Sequence, residues 1–447
     1  MRNAGLLALI AVLCSLATAC GGSSKSGSGT TTVDLGPTGA GQTLSIYGFG
    51  TGDEIANTRA ALAKKAVAPA KVSNPTGGFD DQQFLARVAS HTVPDLIYLD
   101  RQKVGTYAAK GALLPVSVCG IDMNQFRKPA VQEVTFDGKP YGVPEFYAIR
   151  TLIISATVTG KTGVTDLSTT DWPQLKVDAR KMAVVSGNKV TRIGFDPKLP
   201  EFFPLWAKAN GVDLLSKDGR TAHLDDPRAI EALKYAVSLI DEQGGWSRFK
   251  AFRDTWDFFG SKNQFARGQV GAFPMEDWYF NVLATNSPDA RITSKPFTDR
   301  KGDPLSWESG SAWAIPKGAK HVKLACEWAK TMTEVSSWVA AAKARIALNT
   351  KQHVPFVGLY TANVKADDKI MSTLYKPSGT QFDQAVKTLQ EAQKHSFAIP
   401  ASPAGNEVTA AWTNAVNRVL AGQQKPAAAL KQAQQEAQAA IDSAARG

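Results

Sequence analysis

Residues 94–100 read Pro94-Asp95-Leu96-Ile97-Tyr98-Leu99-Asp100, a short run that is apolar on both faces. A strand of that kind is internal to a sheet whose two faces are both covered, the situation of a parallel sheet sandwiched by helices. Working outward, Leu44-Ser45-Ile46-Tyr47 reads as a strand stopped by Gly48-Phe49-Gly50-Thr51-Gly52, and Val270-Gly271-Ala272-Phe273 as another. Between them lie helical patterns. Asp225 or Asp226 caps a helix over 227–243, Pro227 suits its first turn, Gly244-Gly245 ends it, and Ile230, Leu233, Val237 and Ile240 give it one apolar stripe. Leu324, Trp328, Met332 and Val335 repeat the pattern, as do Val408, Trp412, Val416 and Val419 before Gly422 and the Ala- and Gln-rich stretch 426–445. Strands alternating with helices predict an α/β fold.

The 447 residues are 43% hydrophobic, enough for two packed cores, and 20% charged, which excludes a disordered chain or a coiled coil. Lys and Arg number 51 against 40 Asp and Glu, a net charge of +11. The excess is dispersed rather than gathered on one element, so no nucleic-acid partner is expected. Arg2, the apolar stretch Leu6 to Leu16 and the small residues Ala17-Thr18-Ala19 make residues 1–19 a secretory signal peptide. Cys20 directly after them resembles the bacterial lipobox, in which the thiol takes a diacylglycerol and anchors the chain on the extracytoplasmic face of the cell membrane; the alternative is a plain signal peptide cut at Ala19. Residues 20–42, rich in Gly, Ser and Thr, then read as a flexible tether. That leaves Cys119 and Cys326, which either pair in an oxidising exterior or stay as two small buried hydrophobes.

Motifs of chemistry are rejected in turn. Gly48-x-Gly50 is followed by Asp53 and Glu54 where a pyrophosphate would need positive charge, and Gly160-Lys161-Thr162 has Ser155 where a phosphate loop needs its first glycine. The five histidines have no metal-ligand spacing, and the folded part holds no G-x-S-x-G elbow. The pairs Asp80-Asp81, Asp225-Asp226 and Asp367-Asp368 read as caps and solvated turns. No catalytic residue, metal site or cofactor is expected, and no enzymatic signal rises above noise.

Several segments nevertheless follow one another in a distinctive order: Phe84-x-x-x-Val88, 94–100, Tyr107 to Pro115 (YAAKGALLP), Phe136 to Pro144 (FDGKPYGVP), Asn210-Gly211, Asp218-Gly219, Glu231-Ala232-Leu233, Phe265 to Phe273 (FARGQVGAF) leading to Trp278, Gly310 to Pro316 (GSAWAIP), and Ala325 to Ala329 (ACEWA). From Thr43 to about Gly422 the series resembles the extracellular solute-binding proteins of ATP-binding-cassette importers, the sugar-binding family 1 that includes maltose-binding-like receptors. The resemblance implies a monomer of two α/β lobes, residues 43–146 with 292–332 and residues 147–291 with 333–447. Hinge crossings would lie near 144–147, 291–297 and 333, and the ligand between the lobes. It implies a carbohydrate, mono- or oligosaccharide, delivered to a permease. A pyranose offers an apolar face and a rim of hydroxyls, matched by an aromatic platform and planar polar side chains. Candidates at strand ends and crossings are Phe49, Asp100, Arg101, Glu145, Tyr147, Trp206, Trp278 and Glu308. Phe49 and Trp206 have a core alternative, Asp100 and Arg101 a surface pair, and Glu145 and Glu308 a hinge or surface role. Rival functions are a surface glycan-active enzyme, which needs two carboxylates about 5–9.5 Å apart, and a same-fold receptor for another solute or for a sensor kinase.

Overall fold

The computed structural model describes residues 33–446, and its strands form two large sheets and a two-stranded hairpin of Thr135–Phe136 with Lys139–Pro140. In the first, Thr43–Tyr47 runs parallel to Lys71–Ser73 on one side and to Leu96–Asp100 on the other. Ser311–Ala314 pairs antiparallel with Leu96–Asp100, placing Ser311 opposite Asp100, and Val143–Pro144 closes that edge. The internal position expected for Leu96–Asp100 is therefore observed. The second sheet has seven strands, in the order Ser396–Phe397, Pro304–Trp307, Ile292–Thr298, Arg150–Ser155, Val270–Glu276, Lys189–Phe195 and Val184–Ser186. Arg150–Ser155, buried along its whole length, is its centre.

Helices cover both sheets. Glu54–Ala66 begins where the Asp53 carboxylate accepts the Ala56 N–H at 2.8 Å, satisfying one of the free amides of the first turn. It packs on Val322–Thr333 and Val335–Gln352, and Gln381–Lys394 packs on Ile292–Thr298. Pro227–Asp241 is capped by Asp226 as expected, but Ile230 and Val237 are only half-buried. The buried face instead runs through Ala232, Leu233, Ala236, Leu239 and Ile240, because small alanines let the helix approach closely. The apolar stripe read through Val335 is broken at Glu334, where extended backbone separates two helices. Asp367 departs from its expected role as a solvated residue: it is 3% exposed, pairs with Arg127 at 2.8 Å and accepts the Thr361 N–H.

Three expectations about organisation change. Ile292–Thr298 and Pro304–Trp307 belong to the second sheet, so residues 292–307 go with the second lobe and the return crossing falls at 308–311. Residues 335–373 go with the first lobe, since Trp338, Ala341, Ala342, Ala366 and Ile370 share an apolar cluster with Ile55. The tether expected to reach Gln42 is tied down earlier. The Leu35 carbonyl accepts the Lys323 N–H at 2.8 Å, and His321 bridges Gln42 and Asp95. Residues 1–19 and Cys20, read as signal peptide and lipidation site, lie outside the described residues. Cys119 and Cys326 form a disulfide with Cα atoms 5.1 Å apart, joining the turn Val116–Cys119 to helix Val322–Thr333. Among the described residues no helix is long and apolar enough to cross a membrane.

Candidate functional site

Three segments lie side by side where the chain passes between the sheets. Glu145 and Ala148 donate their N–H groups to the carbonyls of Ser311 and Ser309, and Ala362 donates to the Glu145 carbonyl at 2.7 Å. Buried arginines fasten this crossing. Arg101, fully buried, pairs with Glu133 at 2.5 Å and with Glu308, and donates to the Phe146 carbonyl. Arg59 pairs with Glu145, donates to the Met332 carbonyl at 3.1 Å and lies 3.8 Å from the centroid of the Trp338 ring. Burial pushes the carboxyls of Glu133 and Glu308 up, against the pull of Arg101.

Above the crossing opens a cavity of about 340 Å³. Its first-lobe wall is Asp53, Ile55 and Arg345, its second-lobe wall Asp277, Trp278, Asn281 and Val282, and its floor Phe146, Tyr147, Ala148 and residues 357–360. Trp278, 38% exposed, presents the flat apolar surface. Its indole N–H is donated to Glu276, whose other carboxylate oxygen accepts from Arg150 at 2.6 Å; Arg150 donates in turn to the Trp307 carbonyl. The ring is thereby oriented from the second sheet. Opposite it, Arg345 pairs with Glu54 and stands 3.6 Å from Asp53. Asp277 accepts the Ile149 N–H at 2.8 Å, and burial pushes its carboxyl up to about 8. One aromatic face beside a carboxylate, a guanidinium and an amide suits a ligand with an apolar face and several hydroxyls. A larger hollow of about 470 Å³ near Lys128, Asp137 and Lys217 offers no exposed aromatic ring.

Two of the eight expected residues, Tyr147 and Trp278, line the cavity. Tyr147 is buried in its floor with its hydroxyl 2.6 Å from that of Ser396. The other six lie elsewhere. Arg101, Glu145 and Glu308 are consumed by ion pairs inside the crossing, with no surface left for a ligand. Trp206 is a core residue of the second lobe, its indole N–H bound to the Pro197 carbonyl. Phe49 is 2% exposed and packs against Tyr98 and Trp313, and Asp100, though exposed, lies outside the cavity. Asp53, Asn281 and Arg345 line it and are not among the eight expected ligand-binding residues. Asp53 carried one signal, as a charged residue just after the glycine turn that ends the first strand. Among the described residues no cluster of His, Cys, Asp and Glu could hold a metal ion.

Two α/β lobes joined by crossing segments, with a cavity between them, define a two-lobe ligand-binding protein. The bacterial extracellular solute-binding protein family matches residues 71–336, more than half of the chain, and the chain belongs to that family. The arabinooligosaccharide-binding protein of Bacillus subtilis (strain 168) is 21% identical over 262 residues, covering 57% of this chain and 59% of that protein. The match thus spans well under two thirds of that relative's length. Solved structures share the fold: CpMnBP1 with mannotriose bound (TM-score 0.71, 22% identity, 89% of this chain and 100% of that one) and the substrate-binding protein Lmo0181 of Listeria monocytogenes in complex with cycloalternan (0.71, 17%, 90% and 99%). The maltose/maltodextrin-binding domain MalE of Bdellovibrio bacteriovorus bound to maltotriose is similar at a TM-score of 0.65 and 18% identity, covering 90% of this chain and 100% of that one. These relatives are binding proteins, not enzymes.

Proposed function

We propose that the chain captures a carbohydrate in the interlobe cavity and delivers it unaltered to an ATP-binding-cassette permease, held at the membrane by lipid on Cys20. The observation that carries the reading is the partly exposed Trp278, held by its hydrogen bond to Glu276, lining one cavity together with Asp53 and Arg345. The sugars in CpMnBP1, Lmo0181 and the Bdellovibrio protein, and the arabinooligosaccharide of the Bacillus relative, support the ligand class. Ligand that touches both lobes favours the closed arrangement by its differential affinity. The test is a thermal-shift panel of mannose, arabinose and maltose with their oligosaccharides. Saturating ligand stabilises the folded state by a few kcal/mol (about 2.7 at a hundredfold excess over Kd) and is recovered intact. A panel without any shift, or accumulating hydrolysis products, refutes the reading. Partition of full-length protein into detergent, lost in Cys20→Ala, tests the anchor.

A further inference from the structure

Lysines that are dispersed along the sequence are gathered by the fold at one end of the first sheet. Thr43–Tyr47, Lys71–Ser73 and Leu96–Asp100 are parallel, so all three begin at the same end. The cavity residues Asp53 and Ile55 follow the opposite end of Thr43–Tyr47, a strand length of about 16 Å away. At the beginning end Lys71 opens its strand, and Lys64 and Lys65 stand in the last turn of Glu54–Ala66. Ser311–Ala314 runs antiparallel beside Leu96–Asp100 and so delivers Lys317 and Lys320 to the same place, with Lys323 just beyond in helix Val322–Thr333. The Lys71 N–H is donated to the Gln42 carbonyl at 2.9 Å and the Lys320 N–H to the Asp95 carboxylate at 3.0 Å, which ties these segments to one another. All six lysines are exposed, and among the described residues none forms a salt bridge. Asp34 and Glu327 offset part of their charge, while Asp95 is buried and occupied by Ser45, Lys320 and His321.

Compensation of helix dipoles accounts for Lys64 and Lys65, which close a helix, and not for the others. Lys71 lies on a strand. Lys317, Lys320 and Lys323 surround the start of a helix whose first turn has no acidic residue, the end at which the dipole disfavours cations. The chain also enters the fold here. The Leu35 carbonyl accepts the Lys323 N–H at 2.8 Å, a Cβ on Gly36 would lie 1.9 Å from the Lys320 carbonyl oxygen, and His321 holds Gln42. Cys20 and Val33 are 13 positions apart (33 − 20), a reach of at most about 45 Å. An anchor at Cys20 therefore acts on the molecule through this end. From the charge and the point of entry together we propose that the lysine-rich end of the first lobe is a membrane-facing surface that rests on anionic lipid headgroups. A chain seated this way turns the cavity end of its first sheet away from the bilayer. The proposal rests on the membrane-anchored reading and adds to it a surface that recognises the bilayer without the lipid.

The test is co-sedimentation of the secreted Cys20→Ala chain, which keeps every residue of the body and carries no lipid, with vesicles of phosphatidylcholine alone or mixed equally with phosphatidylglycerol. The chain binds the mixed vesicles, ignores the neutral ones, and is released as salt rises from about 0.1 to about 0.5 M. A basic residue close to an anionic surface is worth about a factor of five. Lys71→Gln, Lys317→Gln, Lys320→Gln, Lys323→Gln together therefore weaken binding about tenfold or more. A control of equal net charge, Lys181→Gln, Lys189→Gln, Lys234→Gln, Lys431→Gln, removes exposed lysines of the second lobe and changes binding less than about twofold. Equal losses in the two variants mean diffuse charge and overturn the proposal, as does a chain that ignores the mixed vesicles or binds the neutral ones as well. Capture of polyphosphate without capture of vesicles assigns the surface to a soluble polyanion and overturns it too. Each of these failures leaves the lipid on Cys20 standing, because detergent partition of the full-length protein tests that separately.

Discussion

Replacing Arg101 with methionine isolates what the buried charges at the crossing do. The guanidinium serves two carboxylates, Glu133 and Glu308, and the Phe146 carbonyl, and all three charged side chains are fully buried. Removing one partner of a buried ion pair leaves an uncompensated charge, and such changes cost about 3–5 kcal/mol. Here two acids lose one cation, so the upper end of that range is expected at pH 7. The deficit depends on pH in a defined direction. Both carboxyls already sit above their ordinary range because of burial. A folded-state pKa above the unfolded value contributes stability that is fully present below the unfolded carboxylate range and lost as pH rises through the folded value. Without Arg101 the folded values rise further, and the acids bind protons instead of the arginine. Guanidinium unfolding of both proteins at pH 7 and pH 5 therefore shows a deficit that narrows on acidification. The triple variant Arg101→Met, Glu133→Gln, Glu308→Gln recovers most of the loss, because no charge is left stranded. A single variant within about 1 kcal/mol of wild type at pH 7, or a deficit constant with pH, refutes the reasoning.

Other consequences are as direct. Burial holds Asp277 at about 8, so wild type loses stability as pH rises from the unfolded carboxylate range through that value; Asp277→Asn, which keeps the acceptor for Ile149, flattens this part of the pH–stability curve measured by thermal unfolding. The disulfide closes a sequence separation of 207 residues; in the chain-entropy description the Cys119→Ser, Cys326→Ser variant loses on the order of 5 kcal/mol, seen as a lower denaturant midpoint equal to that of reduced wild type. Small-angle scattering of wild type gives a smaller radius of gyration with saturating sugar, and an unchanged profile argues against closure.

The residues that make the fold were readable because their physics is local. Leu96–Asp100 is an internal strand whose Leu96, Ile97 and Leu99 are buried on alternating faces of its sheet, and Asp53, Asp80 and Asp226 cap helices as their side chains allow. The site was readable only in part because its side chains are sorted by long-range geometry. Arg101 stands at a strand end, as a ligand-binding residue would, but its acids lie 32 and 207 positions away, and their arrival turns it into a fastener. Trp206 lies on a short helix, Phe203–Ala209, enclosed on nearly every side, which composition alone does not reveal. Arg345 is one of several cations on a long helix, and only packing against Glu54–Ala66 brings it to the cavity. The placement of residues 292–307 was missed for a similar reason: strand partners 143 positions apart, such as Leu152 and Lys295, leave no mark in sequence.

Calorimetric titration of the Trp278→Ala variant probes the whole account at its narrowest point. Loss of the indole platform should weaken the tightest-binding sugar about tenfold or more, roughly 1.4 kcal/mol, while the ligand-free variant still unfolds in one cooperative transition, at a somewhat lower melting temperature because the ring also packs on Phe258, Phe259 and Tyr279. Wild-type affinity in that variant would mean that whatever this protein holds, it does not hold it between its lobes at Trp278.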